Sequence, residues 1–235
     1  MQAMLLAGGL GTRLRSVVSD RPKPMAEIAP GCPFMGYLVR RLVRQGFDRM
    51  IFAVGYKGGM IEDYFGDGKR FGAEIVYAFE EELLGTAGAI RNAAAHLSED
   101  RALVLNADTY YEMDYGMLAR MQKDRHLDMA LVLRPVSDVS RYGAARLSDG
   151  MLVSFNEKGR SGAGEINGGV YMLSRDLIGT IPEGKVSLEN EMIPRWMTEG
   201  RRIGGYSQSG YFIDIGIPED LARFRADVKE GTVAW

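Results

Sequence analysis

The feature that most constrains this chain is its start, where the apolar run Met4-Leu5-Leu6-Ala7 stops at Gly8-Gly9-Leu10-Gly11-Thr12-Arg13-Leu14. So short a run reads as a buried strand, and the glycines that end it leave backbone N–H groups bare to wrap a phosphate chain. A tight turn is the plainer reading of the loop taken alone. The spacing of Gly8, Gly9 and Gly11 is neither the G-x-G-x-x-G dinucleotide fingerprint nor a P-loop ending in G-K-[ST], which disfavours a dehydrogenase. Arg13 adds a fixed positive charge beside the loop. In Arg21-Pro22-Lys23-Pro24 two prolines restrict the backbone and aim the Lys23 ammonium group.

Short apolar runs recur at residues 2–7, 50–54, 75–79, 102–105 and 129–133, separated by helical patterns over 33–45, 59–65, 85–97 and 114–126. This alternation predicts an α/β fold with a mixed, mostly parallel central sheet flanked by helices, and ligands at the carboxyl ends of the strands. The second half is less regular. Strands are expected over 144–147, 151–155, 169–173 and 203–213, the last broken near Ser209-Gly210, with helices over 187–197 and 218–229. Pro194 should kink or split the first of these helices. Residues 1–235 read as one domain, with a nucleotide-binding half to about 135 and an acceptor-binding half built onto the same sheet. Met113, Met117 and Met121 have the spacing of a helix face and read as core packing.

Acids and bases nearly cancel, 31 against 29, so no global field draws in nucleic acid or an anionic membrane. The single cysteine, Cys32, has no internal disulfide partner, which suits a reducing cytoplasm. The N-terminus lacks the basic start and cleavage region of a signal peptide, and no apolar run approaches a membrane span. His96 and His126, the only histidines, sit near helix ends and read as surface residues. A histidine-based zinc site or catalytic triad is therefore poorly supported.

The stretch Leu6-Ala7-Gly8-Gly9-Leu10-Gly11-Thr12-Arg13-Leu14, followed by Pro22-Lys23-Pro24, resembles the signature of sugar-1-phosphate nucleotidyltransferases. These enzymes join a nucleoside triphosphate to a sugar 1-phosphate. The likeness continues through Leu84-Gly85-Thr86-Ala87-Gly88-Ala89, Asn106-Ala107-Asp108, Glu157-Lys158, Asn167-Gly168-Gly169-Val170-Tyr171 and Phe212-Ile213-Asp214-Ile215-Gly216. It implies a Rossmann-like nucleotidyltransferase fold over nearly the whole chain. Tyr64-Phe65-Gly66-Asp67-Gly68 and Phe212 to Asp220 are most similar to D-glycero-α-D-manno-heptose 1-phosphate guanylyltransferases, which implies GTP as the nucleotide. Mannose 1-phosphate guanylyltransfer and N-acetylmuramate 1-phosphate uridylyltransfer are the rival activities. A non-catalytic nucleotide-sugar-binding regulator is the rival of another class. The oligomeric state, a homodimer included, stays open.

Attack of a sugar 1-phosphate on the α-phosphorus of a triphosphate needs anions brought together in line more than covalent help. That requirement favours a site rich in Arg, Lys and metal-binding carboxylates. The resemblance assigns Arg13 and Lys23 to catalysis through triphosphate charge. It assigns Leu6, Ala7, Gly8, Gly9, Gly11, Thr12, Gly85, Thr86 and Gly88 to nucleotide binding. Gly143, Glu157, Lys158, Asn167 and Gly168 fall on the sugar phosphate, and Asp108 with Asp214 on Mg²⁺, two hard oxygen ligands for a hard cation.

Several of these positions keep a plainer alternative. Asp108 also reads as a turn or helix-cap residue, Glu157-Lys158 as a surface ion pair, and Gly85 to Gly88 as close helix-to-sheet packing. Gly168-Gly169 also fits a glycine-marked bulge. Glu80, Glu81 and Glu82 offer carboxylates to guanine N–H groups, yet a charge run also reads as a solvated face. Ala107 stands where the family motif has glycine, and its methyl is expected to crowd the nucleotide. The glycine-rich segment 159–164 reads as a loop that closes over bound sugar.

Overall fold

The computed structural model describes residues 1–140, 143–157, 159 and 161–233. In chain order its elements are β1 (Gln2–Ala7), β2 (Glu27–Ala29), β3 (Cys32–Pro33), α1 (Phe34–Arg44), β4 (Arg49–Val54), α2 (Gly58–Phe65) and β5 (Glu74–Phe79). Then follow α3 (Gly85–Ala93), β6 (Arg101–Asn106), β7 (Thr109–Tyr111), α4 (Gly116–Asp124), β8 (Met129–Val136), β9 (Ala144–Ser148), β10 (Met151–Glu157) and β11 (Gly164–Ser174). The chain ends with α5 (Arg175–Gly179), α6 (Ile193–Thr198), β12 (Ile203–Ser207), β13 (Phe212–Asp214) and α7 (Pro218–Lys229).

A nine-stranded sheet in the order β5-β4-β1-β6-β11-β8-β12-β10-β9 forms the frame. Its first four strands are parallel, as the helix-strand alternation requires. The expectation of a mostly parallel sheet fails beyond them. β11 runs antiparallel to β6 and β8, and β10 antiparallel to β12 and β9; only β12 and β8 add a further parallel pair. The reason lies in the connections, since β9 and β10 are joined by the short Asp149-Gly150 turn, with no room for a crossover helix. β9 also pairs with β11, so β11, β8, β12, β10 and β9 close into a partly barrel-like ring.

Side chains of the parallel strands alternate between two cores. Ala3, Leu5, Phe52 and Val54 pack with Phe34, Leu38 and Leu42 of α1, Phe65 of α2 and Phe224 of α7. Met4, Ile51, Ala53 and Val104 face the opposite side, with Ile90 of α3, Leu177 of α5 and Trp196 of α6. Phe224 anchors the first core through rings of Phe34 and Tyr110, with centroids 4.8 and 5.6 Å away. Pro194 divides the second-half helix as expected: a π-helical turn, Leu188–Met192, precedes α6, which carries Pro194 in its first turn.

Both histidines are exposed. Met113 is buried and Met121 packs against the first core, although α4 begins only at Gly116. The β2–β3 hairpin, the short α5 and the pairing of β7 with β13 have no counterpart in the sequence reading.

Candidate active site

The parallel strands deliver four segments to one edge of the sheet: the glycine loop after β1, Gly55 after β4, Glu80 after β5 and Asp108 after β6. A cavity of about 610 Å³ opens there. Leu6, Ala7, Gly8, Gly9, Gly11, Thr12, Arg13, Lys23, Gly85, Thr86, Asp108 and Asp214 all line it. Sequence motifs more than two hundred residues apart therefore meet at one place.

Backbone geometry shows why the loop is glycine-rich. Gly11 takes φ +58°, and a Cβ there would lie 3.0 Å from the Lys23 Cβ. Any side chain on Gly8 would overlap Glu80 Oε1, and one on Gly55 would come within 2.9 Å of the Gly8 carbonyl. Gly88 faces away from the cavity, packed on the backbone of Gly184 and donating its N–H to the Val186 carbonyl at 3.2 Å. Its small size serves packing of α3 on the connection after α5, rather than the helix-to-sheet packing named as the alternative.

The two aspartates come together through a pairing that the sequence reading lacks. In the small β7–β13 sheet Asp214 stands opposite Thr109, and the Ile215 N–H donates to the Asp108 carbonyl at 3.0 Å. Lys23 bridges the carboxylates, with Nζ 2.5 Å from Asp108 Oδ2 and 3.5 Å from Asp214 Oδ1. Its side chain is only 10% exposed, held by the tight turn between Pro22 and Pro24. Part of the Asp214 side chain faces the cavity, but Oδ1 is buried and accepts no hydrogen bond. Burial, and then the Asp108 charge, raise the Asp214 carboxyl above the ordinary carboxylate value, against the pull of Lys23 and Arg13. Two carboxylates held this close, one with an oxygen that makes only the long ion pair to Lys23, fit a hard divalent cation.

Ala107 is fully buried in the first core, and its N–H donates to the Leu6 carbonyl at 3.0 Å. The methyl points away from the cavity, so the crowding expected of it does not arise. Among the three consecutive acids, Glu81 and Glu82 are exposed, while Glu80 forms part of the cavity wall. Glu80 Oε2 accepts from the Leu84 N–H at 3.1 Å, and Oε1 is buried without a partner. Burial pushes its carboxyl up from the ordinary value. Spacing gave no way to choose among the three acids. Lys185 also lines the cavity with no motif in the sequence to mark it, and so does Gly216, which closes the Asp214 motif but was given no role of its own.

The described acceptor-side candidates do not line this cavity. Asn167 and Gly168 lie on β11 where its register against β8 shifts between Asn167 and Tyr171, the bulge that Gly168-Gly169 had suggested. Gly169, at φ +70°, approaches Asn106, which does line the cavity; a Cβ there would lie 3.0 Å from Asn106 Nδ2. Gly143 immediately precedes β9, and Glu157 ends β10 opposite Ala144. Lys158 and the Glu157 side chain lie outside the described residues. So does Arg160 in the glycine-rich segment, where Gly162 donates its N–H to Asp138 at 3.0 Å.

Comparison with known proteins agrees with this geometry. The profile of the Nucleotidyl transferase family matches residues 2–231. D-glycero-alpha-D-manno-heptose 1-phosphate guanylyltransferase of Aneurinibacillus thermoaerophilus is 38% identical, over 97% of this chain and 99% of that protein. Mannose-1-phosphate guanylyltransferase of Mycobacterium tuberculosis is 37% identical, over 98% of this chain and 65% of that protein. The crystal structure of HddC from Yersinia pseudotuberculosis complexed with GMP-PN superposes with a TM-score of 0.84 at 38% identity, covering 97% of this chain and 99% of that one. A sequence match of this extent, carried on a cavity that gathers the glycine loop, Lys23 and both aspartates, makes the chain a member of the nucleotidyl transferase family and a sugar-1-phosphate nucleotidyltransferase.

Proposed function

We propose that the protein transfers GMP from GTP to D-glycero-α-D-manno-heptose 1-phosphate, releasing pyrophosphate. The observation that carries the base preference is the Glu80 carboxylate in the cavity wall, an acceptor suited to the N1–H and N2–H donors of guanine once its side chain turns Oε1, buried against Gly8, toward the cavity. The likeness to heptose and mannose guanylyltransferases, and to a structure complexed with GMP-PN, supports the same reading. Mannose 1-phosphate is the second acceptor to test, on the strength of the Mycobacterium tuberculosis relative.

In this reading the chain is one domain whose nucleotide half, about residues 1–135, borrows Lys185, Asp214 and Gly216 from the acceptor half. The glycine loop presents N–H groups to the nucleotide and Arg13 with Lys23 neutralises triphosphate charge, while Ala87 and Gly88 of α3 spend their N–H groups on the Val186 carbonyl and leave Gly85 and Thr86 to approach the nucleotide. Asp108 and Asp214 would hold Mg²⁺, which supplies further charge neutralisation at the reacting phosphates when bound. Lys23, now shared by both carboxylates, would then be free to serve the triphosphate. Glu157, Lys158, Asn167, Gly143 and Gly168 are assigned to the sugar phosphate. The free thiol of Cys32 fits a cytoplasmic enzyme. Pyrophosphate release measured across GTP, UTP, CTP and ATP, each with heptose, mannose and N-acetylmuramate 1-phosphates, tests the proposal. The GTP and heptose pair should give the highest kcat/KM; a preference for UTP with N-acetylmuramate 1-phosphate would refute it.

A further inference from the structure

A line of side-chain hydrogen bonds runs behind the cavity from the first turn of α3 to the bulge of β11. Thr86 Oγ1 donates to Glu189 Oε2 at 2.7 Å, and the Tyr171 hydroxyl donates to Glu189 Oε1 at 3.1 Å. Asn167 Nδ2 in turn donates to the Tyr171 oxygen at 2.6 Å, while Asn167 Oδ1 accepts from the Gly169 N–H at 3.0 Å. Glu189 lies in the π-helical turn Leu188–Met192, whose first N–H donates to Thr86 Oγ1 at 2.7 Å. Single π-helical turns concentrate at functional sites.

The direction of every bond follows from chemistry. An ionised carboxylate only accepts, so Thr86 and Tyr171 must both spend their single proton on Glu189. The Tyr171 oxygen is then left with lone pairs only, and it can be met only by the amide nitrogen of Asn167. Tyr171 is fully buried, and burial, reinforced by the Glu189 charge, holds its phenol protonated far above the ordinary value. The Asn167 amide thus has one permitted orientation, with Oδ1 on Gly169 and one Nδ2 proton left for another acceptor.

We propose that Glu189, acting through Tyr171, fixes the orientation of the Asn167 amide and thereby the hydroxyl pattern accepted on the sugar 1-phosphate. Glu189 and Tyr171 are then positioning residues for acceptor specificity. The proposal rests on the reading above that Asn167 faces the sugar. Glu189→Leu would remove the acceptor outright, leaving the Tyr171 proton only Asn167 Oδ1 to meet and so pulling that amide away from the Gly169 N–H. Tyr171→Phe keeps the ring and deletes the relay atom.

The test is a double-mutant cycle on steady-state kinetics with heptose and mannose 1-phosphates, with triphosphate KM read alongside and the melting temperature as a check on folding. Asn167→Ala should raise the sugar 1-phosphate KM about 3- to 10-fold, the loss of one neutral hydrogen bond. Tyr171→Phe and Glu189→Leu should each give a similar increase and narrow the discrimination between the two sugars, with triphosphate KM within about twofold of wild type by the same reasoning. In the Asn167→Ala background Tyr171→Phe should add nothing. An equal further increase there, or equal damage to both substrates, would overturn the relay and leave only a packing role. Silent Tyr171→Phe and Glu189→Leu beside an active Asn167→Ala would overturn it as well. A silent Asn167→Ala would overturn the placement of Asn167 at the sugar, and the relay with it.

Discussion

Replacing Glu80 with Gln separates two consequences of one buried carboxylate. Oε2 already accepts the Leu84 N–H, so Oε1, buried against Gly8 until the side chain turns, is the oxygen left for the base. Gln keeps an oxygen for Leu84 and turns its amide donor toward the guanine donors. A hydrogen bond to a charged group contributes about 1.5–3 kcal/mol, so kcat/KM for GTP should fall about 10- to 150-fold. Adenine, which presents an acceptor at N1, should lose less, and the GTP-to-ATP ratio should shrink.

Stability should move the other way. Burial raises the Glu80 carboxyl above its ordinary 4.5, so the charged form is the one penalised in the folded state. The favourable contribution of this group is complete below the unfolded value and is lost as pH rises through the folded one. Glu80→Gln should therefore melt higher than wild type at pH 7, and the difference should shrink as pH falls toward 4.5. Pyrophosphate release with GTP and ATP, and melting curves across pH, measure both effects. Wild-type kcat/KM for GTP with an unchanged GTP-to-ATP ratio would refute base recognition by Glu80. A variant less stable at pH 7 would refute the desolvation argument.

Asp108→Asn should keep the fold and lower kcat by roughly 10²-fold or more, the scale set by loss of one preorganised electrostatic group; turnover should also vanish in excess chelator, and full activity there would defeat the metal assignment. Lys23→Ala should lower kcat and kcat/KM together, because its charge serves the triphosphate; a change confined to the sugar KM would show that its role is misassigned. Gly85 has φ +69°, and a Cβ on it would sit 2.5 Å from the Val186 carbonyl oxygen. Gly85→Ala should lower the unfolding free energy by at least about 1–2 kcal/mol, read from the urea midpoint; an unchanged midpoint would show that this junction yields without strain.

The parallel half of the sheet and its helices are legible in the sequence because continuous buried runs and period-3.6 burial are local properties. Gln2–Ala7 and Pro218–Lys229 are found with the expected bounds. The glycine loop, Lys23 between its prolines and Asp108 at the end of β6 are legible for the same reason, since each depends on a few neighbouring residues. Pairing between distant strands is another matter. Nothing local reveals that β9 closes a ring onto β11, or that β13 pairs with β7 and carries Asp214 to Asp108. Contacts between distant residues also decided that Glu80, of three adjacent acids, enters the cavity wall and that the Ala107 methyl points into the core. They joined Thr86 to Asn167 through Glu189 and Tyr171, side chains whose roles exist only in the partners they meet. Sequence by itself determined the chemistry that the chain carries, because residue types and short spacings carry charge and backbone freedom. The tertiary structure alone decided which of those groups act together, because long-range register is set by the packing of the whole sheet.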